Sequence, residues 1–376
     1  MKLKQIPEDF IVDEIYNLDE LKQKPQEKHN FFYFLLTKKD YTLFKALEKI
    51  SNIFHTNPRK INFAGTKDRV GITTQLISIP QINKDRFEKN LNYFNSKFNE
   101  LKLKFLGEFP SRLNLGDNKG NKFEITVRDL DEKDIALAKE NIDLIKEKGV
   151  LNYFDEQRFG FAGNSHIVGK YILKNDLESA VKEILTSLPS KPRDELVKFV
   201  NFVEDYWDGI KSSNDAIIEK AQSLTKEKSN EWRMLGFLKK HKNDFAGSFR
   251  ILPKKLQTLY ISAYQSHIFN EILKSIEIGE ERLELVNSES KFEGDVKKLV
   301  ERILSDDELG YENFNLVSMP ELKLDKALRD VRIKVPELEI SKEEKDELNE
   351  NKLKVLVTFS LPPGAYATNV IKQIFR

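Results

Sequence analysis

The residues best suited to chemistry lie in Phe63-Ala64-Gly65-Thr66-Lys67-Asp68-Arg69, where one carboxylate follows a short apolar run. Ile61 to Ala64 has the composition of a buried strand, and Gly65 permits the turn that ends it. Lys67 and Arg69 flank Asp68 and set it in a field that attracts phosphate. An aspartate so placed suits a nucleophile acting on a polyanionic substrate, with the flanking lysine and arginine contacting phosphates. A lone Asp after Gly is also a common turn former. Residues elsewhere in the chain decide between the two readings.

Three other segments pair aromatic and polar groups at the ends of elements. In Lys4 to Glu14, Pro7 sets a turn and Phe10 begins an extended run. In Lys119-Gly120-Asn121-Lys122-Phe123, an amide and an aromatic stand two apart at a strand start, hence on one face. The third is Leu361-Pro362-Pro363-Gly364-Ala365-Tyr366-Ala367-Thr368. An aromatic that stacks a base, an amide that reads its edge and lysines for the backbone together make a pocket for a flipped-out base. Taken singly, Phe10 and Phe123 are as readily core residues, and Asn121 a turn former.

Other chemistries lack their residues. His29, His55, His166, His241 and His267 are scattered and form no ligand motif, and there is no cysteine. No Gly-x-Ser-x-Gly elbow accompanies Ser266-His267, which fall in a helical run. Gly116-Asp117-Asn118-Lys119-Gly120 precedes a strand, and neither a phosphate-binding Gly-x-x-x-x-Gly-Lys-Ser/Thr loop nor a Gly-x-Gly-x-x-Gly run occurs. No metal and no cofactor are expected.

The elements that must position these residues are strands alternating with helices, which suggests a sheet covered by helices on one face. Phe31 to Leu36 is a strand-length apolar run. A helix then carries Leu43, Leu47, Ile50 and Phe54, capped by Asp40 or Thr42. Strands are expected over Thr73–Ile79 and Lys122–Val127. A helix over Asp134–Lys148 buries Ile135, Ala138, Ile142 and Ile145 and ends at Gly149. Residues 170–250 favour helix. Strand character returns over Lys352–Phe359, and Pro362 and Pro363 break it before a short final helix. That last strand needs a sheet to join, so a middle domain is inserted in a discontinuous first one.

At 376 residues the chain exceeds the ~250–300 at which single cores stop growing. Its 62 basic and 61 acidic residues nearly cancel, so net charge carries no nucleic-acid signal. The first ten residues lack the apolar core of a secretory signal, and no run approaches a membrane span. A soluble, cytoplasmic protein is expected.

Six segments, in order along nearly the whole chain, resemble the TruD family of tRNA pseudouridine synthases. They are Lys4–Glu14, Phe63–Asp68, Gly120–Phe123, Asn152–Gly160, Ser262–Asn270 and Leu361–Thr368. The resemblance implies an α+β pseudouridine-synthase catalytic domain, with a mixed or antiparallel sheet and a central cleft, over residues 1–151 and 335–376. An inserted, mostly helical α+β domain would span 152–334. The implied reaction is isomerisation of uridine to pseudouridine in tRNA, usually at position 13, without metal or cofactor and with tRNA as the only partner of a monomer.

By the same resemblance Asp68 is the nucleophile, attacking either ribose C1′ or base C6. Phe10, Asn121 and Tyr366 line the pocket, Phe123 supports it, Lys4 lies near the cleft, and Lys372 is the basic partner of Asp68. Tyr366 stands where Phe is usual, Lys372 where Arg is, and Asp155 where Gly is. Two rival readings are a tRNA-binding protein of this fold without turnover, and a hydrolase using Asp68 and water. The second lacks a second carboxylate or base placed by any motif.

Overall fold

The computed structural model describes residues 1–80, 84–279, 281–322, 324 and 326–376. They form two compact units, one of residues 1–150 and 333–376 and one of residues 151–332.

The first unit is built on a mixed sheet of nine strands among the described residues. Its N-terminal strands are β1 (Phe10–Ile15), β2 (Phe31–Lys39), β3 (Asn62–Phe63), β4 (Ile72–Pro80), β5 (Leu101–Phe109) and β6 (Gly120–Leu130). The C-terminal strand Leu353–Leu361 joins them beside β6, giving the order C-terminal strand, β6, β1, β4, β2, β5. Only β1 and β4 pair in parallel in that series; its other pairs are antiparallel. Two short segments, Glu339–Ile340 and Glu344–Lys345, pair on the outer side of the C-terminal strand.

The helices of this unit are α1 (Leu18–Lys22), α2 (Leu43–Phe54), α3 (Phe87–Lys97), α4 (Glu132–Lys148) and a final helix, Ala367–Ile374. Leu43, Leu47, Ile50 and Phe54 form the buried stripe of α2, and Ile135, Ala138, Ile142 and Ile145 that of α4. Gly149 ends α4 at φ 73°, where a Cβ would run into the Ile333 carbonyl. Thr42 is the N-cap of α2, although its side chain makes no capping bond. Helices α1 and α3 and strand β5 are additions to the elements expected from sequence. Strand β3 is shorter than the expected Ile61–Ala64, because the Ala64 carbonyl turns away to accept from the Gly116 amide.

One face of the sheet carries two apolar clusters. Phe10, Val12, Phe123, Ile125, Val357 and Phe359 pack under α4 and the final helix. Phe32, Phe34, Leu36, Ile77 and Ile79 pack under α2 and α3. On β1, β4 and the end of β2, between these clusters, the same face carries Glu14, Thr73, Gln75 and Lys38, all buried. Burying polar groups in a sheet costs free energy unless they find partners, so this polar strip marks the floor of a site.

The second unit is mostly helical, its longest helix running Lys254–Ser275. Asn270 on that helix accepts from the Phe154 amide at 2.8 Å and donates to the Phe154 carbonyl at 2.9 Å. Arg158 Nε donates to Ser266 Oγ at 3.0 Å, so the segments Asn152–Gly160 and Ser262–Asn270 dock on each other. Among the described residues, no helix is long and apolar enough to cross a membrane.

Candidate active site

The Gly65–Gly71 loop lies across the polar strip. Gln75 Nε2 donates to the Gly65 carbonyl at 2.9 Å, which anchors the start of the loop. Lys67 comes next and pairs with Glu14, their side chains 6% and 0% exposed. Glu14 is needed there for a second reason. Strand β1 pairs with β4 over Ile72–Thr74 and β3 pairs with it at Ile77–Ser78, which leaves the Leu76 amide between them. Glu14 Oε2 accepts from that amide at 2.8 Å. Lys67 is therefore a structural ion pair, and the expected phosphate contact at Lys67 is overturned by its burial. Arg69 keeps 64% exposure, with Asp40 3.4 Å away.

Asp68 follows with its side chain 39% exposed, open to a substrate, and Lys4 Nζ 2.8 Å from Oδ2. Lys4 also lies over the Phe10 ring, 3.8 Å from its centroid. Its backbone is left-handed, at φ 57°. Asp9 holds this turn by accepting from the Gln5 and Ile6 amides at 3.0 and 3.2 Å. Arg128, buried in β6, binds Asp9 at 2.8 Å and Asp346 at 2.9 Å, which fastens the N-terminal segment to the C-terminal one. From below, the Lys38 ammonium donates to the main-chain carbonyl of Asp68. Burial pushes the Lys38 pKa down to about 8, with Lys67 adding to the fall while Asp68 and Asp40 oppose it.

Phe10 and Phe123 are core side chains, edge-to-face at 6.2 Å, and Phe123 stacks on Phe359 at 5.4 Å. Asn121 lies opposite Glu14 on one side and Leu361 on the other. Its Oδ1 is buried with no hydrogen-bond partner among the described residues. Past Leu361, the Ala365 amide donates to the Pro362 carbonyl and Gly364 takes φ 83°, a type II turn with Pro363 in its first central position. Tyr366 is then the half-buried N-cap of the final helix, and Lys372 lies half-buried in its last turn.

Lys4 thus contacts both Asp68 and Phe10. Phe123 and Asn121 share the sheet face of Phe10, and Tyr366 and Lys372 are carried on the segment beyond the C-terminal strand. Lys4, expected only near the cleft, makes an ion pair with the carboxylate. Sequence reasoning missed Lys38 and the paired role of Glu14. The signal for both was a charged residue at a core-facing position of an otherwise apolar strand. No group of three or more His, Asp or Glu side chains suited to a metal occurs among the described residues.

The family model described as tRNA pseudouridine synthase D (TruD) matches residues 1–281 and 281–374. A Methanococcus maripaludis protein called "Probable tRNA pseudouridine synthase D 1" is 30% identical, with all of both chains covered. The tRNA pseudouridine synthase D of Aquifex aeolicus is 29% identical over all of this chain and 98% of its own. A crystal structure of a Methanosarcina mazei protein, titled as a candidate tRNA pseudouridine synthase D, superposes with a TM-score of 0.80 at 27% identity. It covers all of this chain and 93% of its own. With the match running from the Lys4 turn through the Asp68 loop to the final helix, the chain belongs to the TruD family of tRNA pseudouridine synthases.

Proposed function

We propose that this chain isomerises uridine to pseudouridine in tRNA, at position 13, with Asp68 as nucleophile on a flipped-out uridine. The observation that carries the reading is the Asp68 carboxylate, exposed on its outer side and ion-paired to Lys4 at 2.8 Å. The Lys4 ammonium balances the charge of the nucleophile before substrate enters and steers Oδ2, leaving the other oxygen for attack. Attack at C1′ or C6 of the uridine is followed by cleavage of the N1–C1′ bond. The uracil turns within the pocket and a C5–C1′ bond forms; the bond from Asp68 to C1′ or C6 breaks as its carboxylate leaves, and the proton on C5 is lost as N1 gains one. Atoms balance with no co-reactant.

Phe10, Asn121 and Tyr366 border the nucleotide in this reading, with Phe123 behind Phe10. The unpartnered Asn121 Oδ1 is an acceptor for a base N–H. Lys372 is a second candidate cation for the nucleophile's carboxylate. In the alternative reading the protein binds tRNA without turnover. The test is an Asp68→Asn protein assayed on a tRNA transcript with uridine at position 13. Pseudouridine formation is expected to vanish while tRNA binding persists. Undiminished pseudouridine formation by Asp68→Asn would remove Asp68 as nucleophile, and no product from the wild type would leave the binding-only reading.

A further inference from the structure

We propose that Lys38 is a positioning residue for the reaction, a buried cation that fixes the nucleophile's main chain from beneath while Lys4 fixes its carboxylate from the side. The inference rests on Asp68 being the nucleophile. Lys38 stands opposite Thr73 on the sheet, and its residue is 0% exposed. No substrate reaches it, so it acts only through what it touches. What it touches is the Asp68 carbonyl.

A lysine buried only for packing has cheaper substitutes. Met fills the same channel with no charge to desolvate. Keeping an ammonium at this depth makes sense where a carbonyl turned into the sheet must be met by a strong donor. The neighbouring anchors act elsewhere on the loop, Gln75 on the Gly65 carbonyl and Glu14 on the Lys67 side chain, whereas Lys38 holds the main chain of Asp68 itself. Loss of the Lys38 bond frees ψ of Asp68 and so the direction of its side chain.

The groups facing Lys38 are Asp68 and Lys67 from the loop and Asp40 beyond the end of β2, with Lys4 one step away through the Asp68 carboxylate. Burial holds the Lys38 pKa below the ordinary lysine value, pushed down to about 8. The ammonium is therefore present below that pH and lost as pH rises through it, and the anchor weakens in the same direction.

The experiment is single-turnover pseudouridine formation by Lys38→Met on a tRNA transcript, with tRNA affinity measured in parallel. The rate constant is expected to fall about 10²-fold, the scale of a small misplacement of a reacting group, with tRNA affinity unchanged. The wild-type rate is expected to decline as pH rises through about 8, a limb absent from Lys38→Met. A wild-type rate in Lys38→Met, or a declining alkaline limb that persists in Lys38→Met, overturns the proposal. If Lys38→Met does not fold, Lys38→Gln and the wild-type profile decide. Retained product in Asp68→Asn would instead fail the nucleophile reading, which keeps the two outcomes apart.

Discussion

The carboxylate of Asp68 takes its direction from residues far away in the chain. Lys4 reaches it only because its backbone is left-handed, and that turn persists because Asp9 ties down the two amides that follow. For an L-residue other than Gly or Asn the left-handed region costs about 1 kcal/mol or more, which the Asp9 bonds offset. Lys4→Met should therefore lower the single-turnover rate by roughly 10–100-fold with little change in tRNA affinity, because it disturbs orientation alone. Lys4→Arg should recover part of the loss; if Lys4→Met turned over at the wild-type rate, the ion pair would have no part in catalysis. At Tyr366, replacement by Ala should weaken activity by roughly the ~1–3 kcal/mol of one base-stacking contact. Wild-type single-turnover kinetics in that protein would take Tyr366 out of the pocket. Asp68 was legible as a reactive carboxylate from its own neighbours, whereas the Lys4 contact spans 64 positions that no local pattern relates.

At the level of elements, the loop is held by a gap in the sheet. Strand β1 ends its pairing with β4 before β3 begins, and Glu14 fills the space with a carboxylate that meets both Lys67 and the Leu76 amide. Removing one partner of a buried ion pair leaves an uncompensated charge, at a cost of about 3–5 kcal/mol. Glu14→Ala should lose stability on that scale in denaturant unfolding, and activity with it. A change within experimental error would mean that the pair contributes nothing net. Gly71, at the loop's far end, has φ 129°, and a Cβ there would overlap the Phe10 carbonyl. Gly71→Ala should cost about 1–3 kcal/mol of strain, seen as a lower unfolding midpoint. The sequence pattern marked the strands on either side of this gap by their apolar runs. It could not mark the gap, because pairing register is a property of two strands together.

Across the first unit, its two chain segments are joined by Arg128. Its guanidinium binds Asp9 ahead of β1 and both Asp346 and Glu347 ahead of the C-terminal strand. Burial pushes the Asp346 carboxyl up. Hydrogen bonds from the Asp129 and Leu348 amides, Asn349 and Arg128 more than offset this and hold it well below the usual carboxylate range. A depressed folded-state value means that the stabilisation is complete above the unfolded-state value and is lost as pH falls below it, from ~3.9 downward. Thermal unfolding followed by circular dichroism should therefore show a melting temperature that drops steeply below about pH 4. Asp346→Asn should flatten that slope; an equal slope in both proteins would assign the acid lability elsewhere.

The sequence by itself determined the buried stripes of α2 and α4, the break at Pro362 and Pro363, and a last strand too apolar to stand alone. It also determined the identity of the nucleophile candidate and the family, since six motif segments survive as local runs. Only the tertiary structure decided which charges meet. Lys67, beside Asp68 in the chain, turns into the sheet toward Glu14, while Lys4 from the turn ahead of β1 and Lys38 from β2 grip Asp68. The physical reason is that neighbours on an extended chain point to opposite faces, whereas registered strands bring residues distant in sequence within hydrogen-bond reach.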